Sequence, residues 1–178
     1  MNKKNVLLIK PSSKYLNSYL LACKETWNHV HDKYILHNPE KFNEWKLSIF
    51  ENFKNYEKGL NLPQNFVPSS TFWLVENDEY IGTINIRHYL NENLAIYGGH
   101  AGLVIKKSKR NQGYGKIAAN YILKKAKNLI TTPLLLTCQE SNTQSIAILH
   151  KLPYSKIEKE EIFLYNAKQF IRRYYFNT

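Results

Sequence analysis

The residues best placed to do chemistry in this 178-residue chain stand together in Leu103-Val104-Ile105-Lys106-Lys107-Ser108-Lys109-Arg110-Asn111-Gln112-Gly113-Tyr114-Gly115-Lys116, where a strand pattern passes through a polar loop into a helix with two glycines in its first turn. Amides at a helix N-terminus have no intrahelical partner, the helix dipole adds about half a positive charge there, and glycine lets an anion come close to the main chain. Arg110 and the neighbouring lysines reinforce that field. The predicted chemistry is therefore recognition of a diphosphate. A P-loop is excluded because no Gly-Lys-Ser/Thr follows, and the three-glycine dinucleotide fingerprint is excluded because Lys116 to Ala118 supplies no third glycine.

The whole chain carries the same bias. Its 25 basic and 14 acidic side chains leave a formal charge of +11, which suits an anionic partner. The lysines are spread out and form no basic arm of five or six, so the surplus gives nucleic acid little support. With 43% hydrophobic and 13% aromatic residues, no repeat and no Gly/Ser linker, residues 1–178 are expected to form a single soluble domain. No apolar run approaches the ~20 residues that span a bilayer, so no membrane partner is expected. Cys23 and Cys138 are too few for a disulfide framework or a metal knuckle, which makes a metal-free protein of the reducing cytoplasm the expectation. Cys138 also falls in a run that reads as buried, where thiols usually pack rather than react.

Several elements must position the loop. Residues 5 to 10 read as a strand, and a helix starting at Ser12 or Ser13 carries Tyr15, Leu16, Tyr19, Leu20 and Cys23 at helical spacing to about Val30. Pro39 opens a second helix to about Lys58. A loop to Ser70 leads to a hairpin of residues 71 to 76 and 80 to 88 about the turn Asn77-Asp78-Glu79. After a turn at 91–93, Tyr97 to Ile105 reads as a strand whose Gly98-Gly99 pair signals a bulge or a close backbone approach. A helix from Gly113 to about Ile130, a buried strand at 134–138, a helix at about 142–151 and strands at about 155–165 and 168–176 complete an α+β pattern.

The motif Arg/Gln-x-x-Gly-x-Gly/Ala between strand and helix, with Asn142-Thr143-Gln144-Ser145-Ile146-Ala147-Ile148-Leu149-His150-Lys151-Leu152-Pro153-Tyr154 after the next strand, resembles the GNAT superfamily of acetyl-CoA-dependent N-acetyltransferases. The likeness runs from residue 71 to about 165, and the stretches Val67 to Val75, Gly82 to His88 and Gly98 to His100 are similar to a subset of uncharacterised bacterial acetyltransferases. It implies a mixed, largely antiparallel central sheet flanked by helices. It implies acetyl-CoA as co-substrate and an amine-bearing small molecule, amino acid or peptide as acceptor, with direct transfer and no covalent intermediate. It also implies that the backbone of Leu103, Val104 and Ile105 pairs with the pantetheine arm, that the amides of Arg110, Asn111, Gln112, Gly113, Tyr114 and Gly115, supported by Lys106, Lys107, Lys109 and Lys116, take the phosphates, and that Asn142 contacts the pantetheine. Dimers are common in similar proteins, though no feature here demands one.

The chain departs from the family where a tyrosine often protonates the departing thiolate: Leu149 stands there, and a leucine donates no proton. Either His150 or Tyr154 replaces it by a shift of register, or water does, or the chain is a weak or inactive CoA-binding or basic-surface module. Pro153 replaces a glycine at the end of the same helix. For a general base, His100 titrates near neutrality on the strand leading to the loop, although strict alternation puts it on the face opposite Leu103 and Ile105. Glu76, Glu140 and His88 are further candidates. Trp27, Tyr34, Trp45, Phe50 and Phe53 either line an acceptor pocket or pack the core, and Arg87 is either an acceptor-carboxylate ligand or an ordinary surface arginine.

Overall fold

The computed structural model describes residues 4–27, 35–164 and 167–177. In chain order the elements are β1 (Leu7–Ile9), α1 (Leu16–Thr26), α2 (Phe42–Trp45), α3 (Ile49–Lys58), β2 (Ser69–Glu76), β3 (Glu79–Arg87), α4 (Glu92–Ile96), β4 (Ala101–Ile105), α5 (Tyr114–Ala126), β5 (Leu134–Gln139), α6 (Thr143–Leu149), β6 (Lys156–Leu164) and β7 (Ala167–Phe176). The α+β expectation holds, with antiparallel sheets flanked by helices, but the strands form two sheets, β1-β2-β3-β4 and β5-β7-β6, rather than one. No ladder joins β4 to β5.

Local chemistry explains most boundaries. Asn77 and Asp78 sit at φ 48° and 60°, the left-handed pair whose twist matches a tight hairpin, so β2 and β3 pair from Ser69↔Arg87 to Glu76↔Glu79. The second predicted helix is broken in two. Asn38 caps a 3-10 turn at Pro39–Lys41 by accepting from the Glu40 amide (3.0 Å), and the Ser48 amide donates to Trp45 O (3.2 Å), an i to i−3 bond that tightens the chain between α2 and α3. The predicted turn at 91–93 is instead the start of α4, capped by the Asn91 side chain accepting from the Leu94 amide (3.0 Å). The following strand begins only at Ala101, because Gly98 and Gly99 take φ 118° and 59° and interrupt the extended backbone. The predicted continuation of the first helix to Val30 lies outside the described residues.

The β1–β4 sheet is covered on both faces, and its alternation sorts two cores. Trp73, Val75, Tyr80 and Val104 face α1 to α3, while Phe72, Leu74, Ile84 and Ile86 face α5 and the second sheet. Each large side chain so buried contributes roughly 1.5–3 kcal/mol. Trp45, Phe50 and Phe53 belong to or pack against the first of these cores, as does Trp27, and Tyr34 lies outside the described residues.

The first core also holds a titratable group. Tyr19 OH lies 2.7 Å from His37 Nδ1 and accepts from the His37 amide (3.1 Å), which leaves the hydroxyl donating to a neutral imidazole. Burial pushes the His37 imidazole down to about 4. Below pH 6.5 the unfolded chain therefore binds a proton that the folded chain refuses, and stability falls as pH drops from about 6.5 towards 4, by roughly 3 kcal/mol at the lower end. His37→Gln is expected to flatten this part of a thermal-stability-versus-pH curve. A slope identical to the parent's over pH 4–6.5 would remove His37 as its source.

Candidate functional site

β4 hands over to α5 through a 3-10 turn at Lys107–Lys109 and two left-handed residues, Asn111 at φ 60° and Gly113 at φ 86°. This backbone turns a run of amides outward. Among the described residues, none of the main-chain N–H groups from Asn111 to Lys116 has a hydrogen-bond partner, and the first helical bond is from the Ile117 amide to Gly113 O (3.3 Å). A Cβ built on Gly113 would meet nothing within 4 Å, so the space beside this glycine, in the middle of the row, is open. Gly115 serves another purpose: its Cβ would stand 2.8 Å from Ile148 Cδ1, so its absence lets α5 and α6 pack closely.

The side chains around the turn are arranged to hold it. Arg110 Nε donates to Ile105 O (3.0 Å), Gln112 Nε2 to Ser108 O (2.9 Å), and Gln144 Nε2 of α6 to Asn111 Oδ1 (3.2 Å). Tyr114 is buried and donates to Glu76 Oε2 at 2.5 Å, so only its amide faces outward. The four lysines divide. Lys106 is buried against Glu79 and Lys109 reaches the same carboxylate (2.7 Å), whereas Lys107 and Lys116 are exposed and make no ion pair among the described residues. The hairpin register, Gly82 opposite Ile105, brings Glu79 to the lysines; sequence spacing alone gave no sign of it.

The open edge of β4 is decided by its register. The Arg87 amide donates to His100 O (2.7 Å) and the Lys106 amide to Ile81 O (3.0 Å), so residues 102 and 104 turn their main-chain groups to β3 and residues 101, 103 and 105 turn theirs away. Leu103 therefore presents its amide and carbonyl to the gap between the sheets, and Ile105 its amide, since its carbonyl already accepts from Arg110 Nε. Val104 does not, since it is committed to Thr83, and this corrects the expectation for that residue.

The two sheets meet at His100. Its amide donates to Leu135 O (2.8 Å) and its Nδ1 accepts from the Leu135 amide (2.9 Å), while the Gly98 amide donates to Thr137 Oγ1 (2.9 Å). A Cβ on Gly99 would lie 2.5 Å from Leu135 O, which is the close backbone approach signalled by the glycine pair. His100 is only 3% exposed, and burial depresses its pKa below the usual value. With Nδ1 already used by an N–H donor, the ring has no lone pair facing the gap. The geometry gives His100 the work of clasping β4 to β5 rather than that of a base.

At the far wall, Gln139, Ser141, Asn142, Thr143 and Gln144 line a shallow depression of about 340 Å³ at the end of β5. Asn142 caps α6 by accepting from the Ser145 amide (3.0 Å), which fixes its side chain at the rim. Leu149 is buried in the core, and His150 stands outside it, exposed, with Nε2 3.1 Å from Arg172 Nη1. Arg172 also grips both oxygens of Glu140 (2.5 and 2.6 Å) and holds that carboxyl at about 2, too acidic to accept a proton near neutrality. Glu76 is taken by Tyr114, and His88 Nε2 lies 3.0 Å from Ser70 Oγ. Both cysteines are buried, with thiols raised to about 11, so neither is an available nucleophile. Among the described residues no three His, Cys, Asp or Glu side chains are grouped to hold a metal, and no helix is long and apolar enough to cross a membrane.

Comparison with known proteins agrees with this geometry. Residues 27–153 match the family model described as the acetyltransferase (GNAT) family. No curated protein matches the chain by sequence. Among solved structures, a Bordetella pertussis protein assigned to the GnaT family of acetyltransferases superposes with a TM-score of 0.64 at 9% identity, over 97% of both chains. RimL, a ribosomal alpha-N-protein acetyltransferase solved with coenzyme A, gives 0.64 at 12% identity, over 98% of this chain and 94% of its own. The microcin self-immunity acetyltransferase MccE, solved with acetyl-CoA and AMP, gives 0.61 at 14% identity, over 98% and 92%.

Proposed function

Because the chain belongs to the GNAT family of acetyltransferases, we propose that it moves an acetyl group from acetyl-CoA directly to a primary amine held in the same complex. The observation that carries this reading is the row of unpartnered amides from Asn111 to Lys116 in front of the open face of Gly113. Six outward N–H groups at a helix N-terminus suit a diphosphate, and the exposed Lys107 and Lys116 are placed to meet further phosphate charge. Acetyl-CoA supplies a thioester that an uncharged amine can attack.

The chain's part is to bind and orient. Leu103 and the Ile105 amide offer main-chain groups at the free edge of β4, which fits pairing with the amide-bearing pantetheine arm, and Asn142 lines the depression at the end of β5. The amine nitrogen forms a bond to the acetyl carbon as the carbon–sulfur bond breaks, and the ammonium proton leaves to solvent. No nucleophile on the protein is needed. With Leu149 buried, the proton reaching the sulfur comes from His150, from Tyr154 or from water. Since His150 Nε2 accepts from Arg172, its Nδ1 is the atom that carries a hydrogen.

The test is calorimetry with acetyl-CoA followed by a thiol-release assay over a panel of amines. Micromolar binding with amine-dependent thiol release is expected. Binding without turnover on any amine would favour an inactive CoA-binding module, and absence of binding would remove both.

A further inference from the structure

The open gap has one cation that the acetyl donor does not account for. Arg87, at the end of β3, is half-buried, and burial holds its pKa below the usual value. Its Nη1 donates to Gly98 O (3.1 Å) and Gly99 O (2.9 Å), bracing the glycine turn beside the His100 clasp. Among the described residues neither its Nε nor its Nη2 has a hydrogen-bond partner, and no carboxylate pairs with it. A half-buried guanidinium whose fork is left to solvent is available to an anion, and partial burial strengthens such a pair over one in open water.

The surroundings show where that anion sits. Ser69 lies opposite Arg87, Thr71 opposite Asn85, and Asn85 opposite Gly102, so these residues share one face of the sheet. Asn85 Nδ2 donates to Ser69 Oγ (3.0 Å) and Thr71 Oγ1 (3.1 Å), a neutral polar floor. Arg87 Nη2 lies 3.9 Å from where a Cβ on Gly102 would stand and Ile35 Cδ1 2.8 Å from the same point, so the missing side chain lets Ile35 close over β4 and wall one side of the guanidinium. The Nε and Nη2 edge of a guanidinium is the fork that takes a carboxylate with two parallel hydrogen bonds. One cation with neutral neighbours suits a monoanion better than a phosphate dianion.

We propose that Arg87 is the carboxylate-binding residue of the acceptor subsite, so that the acceptor is an amine bearing a carboxylate, a free amino acid or a short peptide, rather than a polyamine. This rests on the acetyltransferase reading. A polycationic acceptor would bring more positive charge to a cation that already lacks a partner, in a chain of formal charge +11.

The experiment compares amino acids and dipeptides with their decarboxylated amines, together with spermidine and phosphoethanolamine, at saturating acetyl-CoA. The parent protein is expected to favour the carboxylate-bearing member of each pair by at least about 30-fold in kcat/KM, the scale of a desolvated charge pair. Arg87→Met is expected to bring that ratio to near one with acetyl-CoA affinity within about twofold of the parent, and Arg87→Lys to give an intermediate ratio, because a point charge keeps attraction but loses the fork. Equal rates within pairs, turnover only of amines without a carboxylate, preference for phosphoethanolamine, or binding of acetyl-CoA with no carboxylate-bearing amine consumed would each overturn the proposal. Should Arg87→Met not fold, the parent ratio and Arg87→Lys decide the matter. Failure to bind acetyl-CoA at all would instead strike the acetyltransferase reading beneath it.

Discussion

Gly113→Glu is expected to remove measurable acetyl-CoA binding, a loss of at least about 100-fold, while the protein still melts cooperatively. The position allows a clean experiment because a Cβ there meets nothing within 4 Å. The substitution does carry strain, since φ is 86° and a non-glycine residue in the left-handed region costs about 1–2 kcal/mol. That is a few degrees of melting temperature for a chain of this size. Binding suffers far more, because a carboxylate placed before the unpartnered amides of residues 111 to 116 both fills the anion site and satisfies the amides itself. Calorimetry beside a thermal melt separates the two effects. Unchanged affinity in a folded variant would show that the diphosphate binds elsewhere, and Gly113→Ala, with strain but no charge, should lie between.

The second large effect concerns the seam between the sheets. Gly99→Ala is expected to lower stability by roughly 3 kcal/mol or more, the scale of overpacking added to left-handed strain. The reason is geometric: the new Cβ would lie 2.5 Å from Leu135 O, a backbone atom that cannot swing aside. The seam must part, and with it the bonds from His100 and Gly98 to β5. His100→Ala should be milder, at about 1–3 kcal/mol, because it leaves the buried Leu135 amide without an acceptor. Chemical denaturation measures both. The folded His100→Ala protein should also keep the shape of the parent pH–rate profile. Loss of the alkaline plateau would restore His100 to proton transfer and contradict the clasp.

Much of the architecture was legible because it depends on neighbours in sequence. The hairpin turn follows from Asn77-Asp78, which tolerate positive φ, and α5 follows from the apolar spacing of Ile117, Ala118, Tyr121 and Ile122. The errors arose where a distant contact competed with local pattern. Residues 97 to 100 alternate like a strand but are bent by Gly98 and Gly99 to reach Leu135, and residues 39 to 58 carry helical spacing yet break between Trp45 and Ile49.

The amino-acid order pointed to a row of free main-chain donors at Arg110 to Gly115, since a helix start with two glycines and no capping side chain leaves amides unsatisfied; in the fold the Arg110 amide donates to Lys107 O (3.2 Å), which moves the row to residues 111 to 116. Only the tertiary structure decided which side chains those amides work with. Long-range pairing gave Lys106 and Lys109 to Glu79, gave the His100 lone pair to Leu135, and left the Arg87 fork beside Gly102 and Ile35 with no carboxylate among the described residues. Hydrogen-bond vacancies of this kind depend on which strands lie side by side, a relation that spacing along one chain does not encode.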